Sequence, residues 1–170
     1  MPYENAAQIL KHLFVDLRPK DHSKTDKNSS SKENPDKDQP WKVLIVEDEA
    51  LVAENMREIL EAASYIVLDL LSTGDEVVAK HSLLNPDLIV MDVKLPGKTD
   101  GIQAATLIHM IKRIPIIFLT AYSEDKFAHL SILSKDSYRY INKPFDLRKL
   151  PEFIKKFRTD LQKKAGSSGS

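Results

Sequence analysis

Between residues 41 and 161 the chain alternates short apolar runs with longer stretches whose apolar residues return every three or four positions. Runs of the first kind cover 43–46, 65–71, 88–92, 116–119 and 138–141, and they predict strands. Those at 43–46, 88–91 and 116–119 contain no polar residue. Unbroken apolar strands of that length belong to sheets covered on both faces. The second kind predicts helices. One spans 50–63, with Leu51, Val52, Met56, Ile59 and Leu60 on its apolar side. A short one carries Val77, Val78, His81 and Leu84, after a turn at Ser72-Thr73-Gly74-Asp75 and before a stop at Asn85-Pro86. Another spans 101–112, carrying Ile102, Ala105, Leu107, Ile108 and Ile111, after a loop punctuated by Pro96-Gly97. Ser123 can cap a helix over 123–133. Asp146 opens a turn, and Pro151 suits the first position of a last helix bearing Phe153, Ile154, Phe157 and Leu161.

Five strand–helix alternations predict an α/β fold: a doubly wound, five-stranded parallel sheet with helices on both faces. In such folds the functional crevice lies at the carboxyl ends of the strands. The flanks differ in kind. Ala6, Ile9, Leu10, Leu13, Phe14 and Leu17 place one apolar face on a helix within 1–17. That face can dock on its own domain or serve as a partner or dimer contact; the long linker behind it favours an interaction role. From Arg18 to Pro40 there is no Ala, Val, Leu, Ile, Met, Phe, Tyr or Trp, so 18–40 is expected to be a flexible linker. The folded domain is expected over 41–163. The Ala-Gly-Ser-Ser-Gly-Ser end places 164–170 as a disordered tail or appended linker.

Bulk properties narrow the function. Lysine plus arginine and aspartate plus glutamate both number 25, so net charge gives no reason to expect a nucleic-acid or membrane partner. With no cysteine, disulfides, thiolate metal sites and cysteine nucleophiles are excluded. No apolar run approaches the ~20 residues that span a bilayer, and no secretory-type leader opens the chain, so a cytoplasmic location is the expectation.

The candidate chemistry sits at strand ends. Glu47-Asp48-Glu49 follows the first strand, Asp92 ends the third, Thr120 ends the fourth, and Lys143-Pro144-Phe145 follows the fifth. Where phosphate-cradling folds place glycines after strand one, this chain places carboxylates, which attract a hard cation. Magnesium favours one or two carboxylates with retained waters and phosphate oxygens. Asp48 and Asp92 are the expected direct ligands, with Glu47 acting through water. The acids could alternatively serve only the following helix N-terminus, which suffices for Glu49. Lys143 could pair with the acidic cluster and meet an incoming phosphoryl oxygen as a point charge. Its bond to Pro144 could be cis, a minority outcome for such bonds.

Taken together and in order, Glu47-Asp48, Met91-Asp92, Pro96, Asp100-Gly101, Thr120-Ala121, Tyr140 and Lys143-Pro144-Phe145 resemble the response-regulator receiver domain, the CheY-like family, over about residues 41–160. The resemblance implies a sheet order of 2-1-3-4-5. It implies that Asp92 is the phosphoacceptor for a histidine kinase or histidine phosphotransfer protein, in a Mg2+-dependent self-modification rather than enzymatic turnover. The backbone carbonyl of Lys94 would join the metal ligands. Thr120 and Lys143 would meet the phosphoryl group, and Tyr140 would be the switch aromatic. A downstream protein, or a second copy, would then read the face made by the helix over 123–133, the fifth strand and the last helix.

There are departures from the family pattern. The loop from Asp92 to Asp100-Gly101 is one residue longer than the commonest form and resembles a subset continuing Gly-Ile-x-Ala-Ala. Tyr138-Arg139 stands where small residues are frequent. Lys94 and Tyr122 occupy the positions that tune phosphoaspartate hydrolysis, and neither orients water, so slow autodephosphorylation is expected. With flanks this short, no DNA-binding output domain is expected. The competing class is a constitutive interaction module on the same fold, without phosphorylation. A flavodoxin-like binder would want a Gly/Ser/Thr-rich first loop, and a phosphatase a second aspartate where Lys94 stands.

Overall fold

The computed structural model describes residues 39–121, 133 and 135–167. The expected helices over 1–17 and 123–133, Tyr122 and most of the linker lie outside the described residues. The strands are β1 (Lys42–Val46), β2 (Ile66–Leu71), β3 (Leu88–Asp92), β4 (Ile116–Thr120) and β5 (Tyr138–Asn142). All neighbours pair in parallel, and the sheet order is β2-β1-β3-β4-β5. Among the described residues the helices are α1 (Ala50–Ala62), α2 (Gly74–Leu84), α3 (Gly101–Ile111) and α4 (Leu150–Ser167), the last entered through a 3-10 turn at Leu147–Lys149.

Strand alternation divides the core in two, because successive side chains leave opposite faces of the sheet. Leu44, Val46, Ile89, Met91 and Phe118 pack with Val77 of α2 and Ile108 of α3. Val43, Ile45, Val90 and Ile117 pack on the other side with Met56 of α1 and Phe157 of α4. Helices thus cover both faces, and β3, at the centre, is buried along its whole length. No helix among the described residues is long and apolar enough to cross a membrane.

Two boundaries depart from expectation. The turn at 72–75 is in fact the start of α2: the Thr73 side chain accepts the Glu76 N–H at 3.1 Å, and the Glu76 carboxylate accepts the Ser72 N–H at 2.9 Å. With Thr73 as its N-cap, the helix starts at Gly74. At the other end α4 runs to Ser167, so residues 164–167 are helical rather than tail. Lys164 there is ion-paired with Asp136, and a cation in the last turn complements the helix dipole. Asn85 ends α2 in the left-handed conformation (φ 50°), which asparagine tolerates better than most residues with a Cβ.

His109, near the end of α3, has a buried Nδ1 with no hydrogen-bond partner among the described residues. Burial, helped by the Arg113 cation, holds its pKa below the usual value. The folded state therefore binds fewer protons than the unfolded chain as pH falls from about 6.5 through the lowered folded pKa, and stability falls across that window. Urea midpoints measured from neutral pH down to about pH 5 should fall less steeply for His109→Gln than for wild type. Parallel slopes would mean that His109 titrates normally.

Candidate functional site

The site forms where β1, β3, β4 and β5 end. β1 delivers Glu47, whose N–H bonds the Leu71 carbonyl at 2.9 Å and whose side chain turns inward, leaving the residue 2% exposed. Asp48 follows on the solvent side. β3 delivers Asp92, 8% exposed. The carboxylates of Glu47, Asp48 and Asp92 present oxygens that all lie within 4.8 Å of one another. Three acids this close repel strongly unless a cation stands among them.

Lys143 supplies one cation. Its Nζ donates to Asp92 Oδ2 at 2.6 Å and to Glu47 Oε2 at 3.1 Å. The Lys143 N–H bonds the Thr120 carbonyl at 2.7 Å, which fixes the lysine's backbone to the end of β4, and the Lys143-Pro144 bond is cis. Burial opposes the ammonium, yet the Asp92 and Glu47 carboxylates outweigh it and hold the Lys143 pKa above its usual value. Glu47 is raised for the opposite reason: burial disfavours its charged form more than Lys143 favours it. The two shifts differ in cause, since Glu47 lies deep with few partners whereas Lys143 reaches two acids.

The second oxygen of Asp92 is held by main chain, with the Lys94 N–H donating to Oδ1 at 2.9 Å. Lys94 itself is exposed at the start of the loop. Thr120 is fully buried at the end of β4, in register with Asn142. Tyr140 is half-buried, opposite Phe118 in the β4–β5 pairing, and packs against the core on the α2–α3 side. The structure therefore brings Glu47, Asp48, Asp92 and Lys143 together directly, with Thr120 attached through the Lys143 amide. Glu49 faces solvent and donates its N–H to Glu47 Oε1 at 3.3 Å.

The trio fits a magnesium ion. It offers only hard carboxylate oxygens, two of them from residues buried against the sheet, and an exposed acid at the mouth where waters can complete an octahedron. One feature escaped the sequence reading. Asp75, assigned there to a turn, reaches across to the loop after β3 and accepts from Lys98 N–H at 3.2 Å and Thr99 Oγ1 at 2.6 Å. The Thr73-x-x-Glu76 capping signature was the available signal that Asp75 stands on a helix rather than in a turn.

Comparison with known proteins agrees with the fold. The family model described as the response regulator receiver domain matches residues 43–155. The transcriptional regulatory protein PdtaR of Mycobacterium tuberculosis is 37% identical over 111 residues, covering 65% of this chain and 53% of that protein. The chemotaxis protein CheY of Treponema pallidum is 30% identical over 118 residues, covering 68% of this chain and 81% of that one. Among solved structures, a CheY-like receiver domain protein from Methanospirillum hungatei aligns with a TM-score of 0.62 at 27% identity, over 73% of this chain and 98% of the other. The chain spans about half the length of the first of these relatives. A match over most of the folded region, a sheet in the order 2-1-3-4-5 and acids and a lysine meeting at its carboxyl edge make this chain a member of the response-regulator receiver-domain family.

Proposed function

We propose that the chain is a phosphorylation-controlled receiver in which Asp92 accepts a phosphoryl group from a phosphohistidine on a histidine kinase or phosphotransfer protein. The observation that carries this reading is the double grip of Lys143 on Asp92 Oδ2 and Glu47 Oε2 at the strand-end crevice. A carboxylate oxygen of Asp92 forms the new O–P bond as the donor's P–N bond breaks and its electron pair returns to the imidazole. Lys94 N–H holds Oδ1, which leaves Oδ2 turned toward the Lys143 ammonium. Lys143 offsets the negative charge that builds up beside it, and such transfer needs positioning and charge neutralisation more than covalent help. Asp48 and Asp92, with the Lys94 carbonyl and Glu47 through water, would hold Mg2+, which when bound neutralises phosphoryl oxygens. The chain modifies itself and does not turn over a substrate, and its phosphoaspartate hydrolyses slowly.

Thr120 meets the phosphoryl group, and Tyr140 reports it by changing its packing on the β4–β5 edge. The signal then shifts a pre-existing equilibrium of that face toward a downstream protein or a second copy. Intact-protein mass after incubation with acetyl phosphate tests the reading. Wild type should gain one phosphoryl adduct that needs magnesium, and Asp92→Asn should gain none. A folded wild type that binds no magnesium and gains no adduct would instead favour a constitutive interaction module.

A further inference from the structure

The loop between β3 and α3 is fastened at three places. At its base the Gly101 N–H bonds the Val93 carbonyl at 3.0 Å. In its middle Leu95 is buried in the α2–α3 core. At its outer end the Asp75 carboxylate takes Lys98 N–H and Thr99 Oγ1. The backbone there sits directly on the helix start, since a Cβ on Gly74 would fall well inside contact distance of the Thr99 carbonyl. Gly97 turns the loop at φ 108°, and a Cβ there would come within 2.9 Å of Asp75 Oδ2. This fastened loop carries Lys94, whose N–H holds Asp92 Oδ1.

We propose that Asp75 is a positioning residue for the phosphoacceptor: by clamping the loop's outer end onto α2 it fixes the Lys94 amide and so the plane of the Asp92 carboxylate. The inference rests on the reading of Asp92 as phosphoacceptor. Asp75 touches none of the reacting groups. It acts through the backbone between Lys94 and Thr99, and a nucleophile held in a near-attack orientation reacts faster than one free to rotate.

The test compares full-length wild type, Asp75→Ala, Asp75→Asn and the pair Asp75→Ala/Thr99→Val. Two quantities are followed: the initial rate of labelling by acetyl phosphate with magnesium, and hydrogen exchange of the Lys94 amide by NMR without donor or metal. Asp75→Ala should label about three- to tenfold more slowly and exchange Lys94 faster. Asparagine can still accept from Lys98 N–H and can donate to Thr99 Oγ1, so Asp75→Asn should label and exchange like wild type. The double variant should be no slower than Asp75→Ala alone, since Thr99→Val removes a bond that Asp75→Ala has already lost. If Asp75→Ala melts earlier yet labels and exchanges like wild type, the clamp is structural only and the inference fails. Equal slowing in the alanine and asparagine variants would assign the effect to charge and overturn it too. If wild type takes up no phosphoryl group, the reading of Asp92 itself falls, and this inference falls with it even where the Lys94 amide responds to Asp75.

Discussion

Lys143→Met is expected to slow labelling of Asp92 by acetyl phosphate about a hundredfold and, in the same protein, to tighten magnesium binding. The loss follows from removing a preorganised cation beside developing phosphoryl charge, a kind of contribution typically worth about 10²–10³ in rate. The gain follows because the ammonium occupies the carboxylates a metal needs: it lies 2.6 Å from Asp92 Oδ2 and 3.1 Å from Glu47 Oε2. Two like charges about 4 Å apart repel by roughly 1 kcal/mol even in water, so affinity should rise at least about fivefold. Stability should fall without metal by about 1–3 kcal/mol, because Glu47 would be left buried and unpaired. The pH dependence has a definite sign. Glu47 is already raised above its usual value by burial, and losing Lys143 raises it further. A carboxyl whose folded pKa exceeds its unfolded one costs stability as pH rises from about 4.5 through the folded value. The deficit of the variant against wild type is therefore largest near neutrality and shrinks on acidification. Calorimetric titration with magnesium and urea melts across pH measure both effects. Unchanged labelling would remove Lys143 from the transfer, and weaker magnesium binding would mean that the lysine organises the acids rather than competing for them.

The ease with which this site could be read from sequence has a physical basis. A strand buried on both faces must be apolar throughout, so a carboxylate or hydroxyl at its end stands out, as Asp92 does after Leu88-Ile89-Val90-Met91 and Thr120 after Ile116-Ile117-Phe118-Leu119. Parallel connectivity then gathers all such ends along one edge. What escaped depended on contacts between segments distant in sequence or on main-chain atoms. Asp75 meets Thr99 across 24 positions, and nothing in Gly74-Asp75 distinguishes a turn from a capped helix start until Thr73 and Glu76 are read together. The grip of Lys94 on Asp92 uses a backbone N–H, which every residue but proline owns. The raised Glu47 pKa comes from neighbours that bury it, and residue type alone cannot give it. The end of α4 was missed because Gly166 and Ser167 read as the start of a linker, whereas the helix tolerates both in its final turn.

Gly101→Ala is expected to destabilise the fold by about 3 kcal/mol, the upper range for forcing atoms into a packed core, and to disorder the site with it. Gly101 opens α3 behind the Asp100 cap and donates its N–H to the Val93 carbonyl at 3.0 Å. A Cβ here would fall inside contact distance of the Asp92 carbonyl oxygen and within 2.9 Å of Val93 Cα. Both are backbone atoms of the segment that ends β3, and β3 is the buried centre of the sheet, so neither can swing aside as a side-chain tip would. Relief must come from moving α3 away, which opens the core around Ala104, Ala105 and Ile108, or from bending the chain at Asp92 and Val93. The second route rotates the Asp92 carboxylate away from Lys143, so labelling by acetyl phosphate should drop even in the fraction that stays folded. Gly166→Ala is the matched control: nothing lies within 4 Å of the added methyl, and alanine in a helix is worth up to about 1 kcal/mol over glycine, less in a terminal turn. Urea midpoints should therefore move down sharply for the first variant and stay or rise slightly for the second. Equal midpoints would show that α3 can back off without cost, and that the close approach of helix and strand at Gly101 is not what holds Asp92 in place.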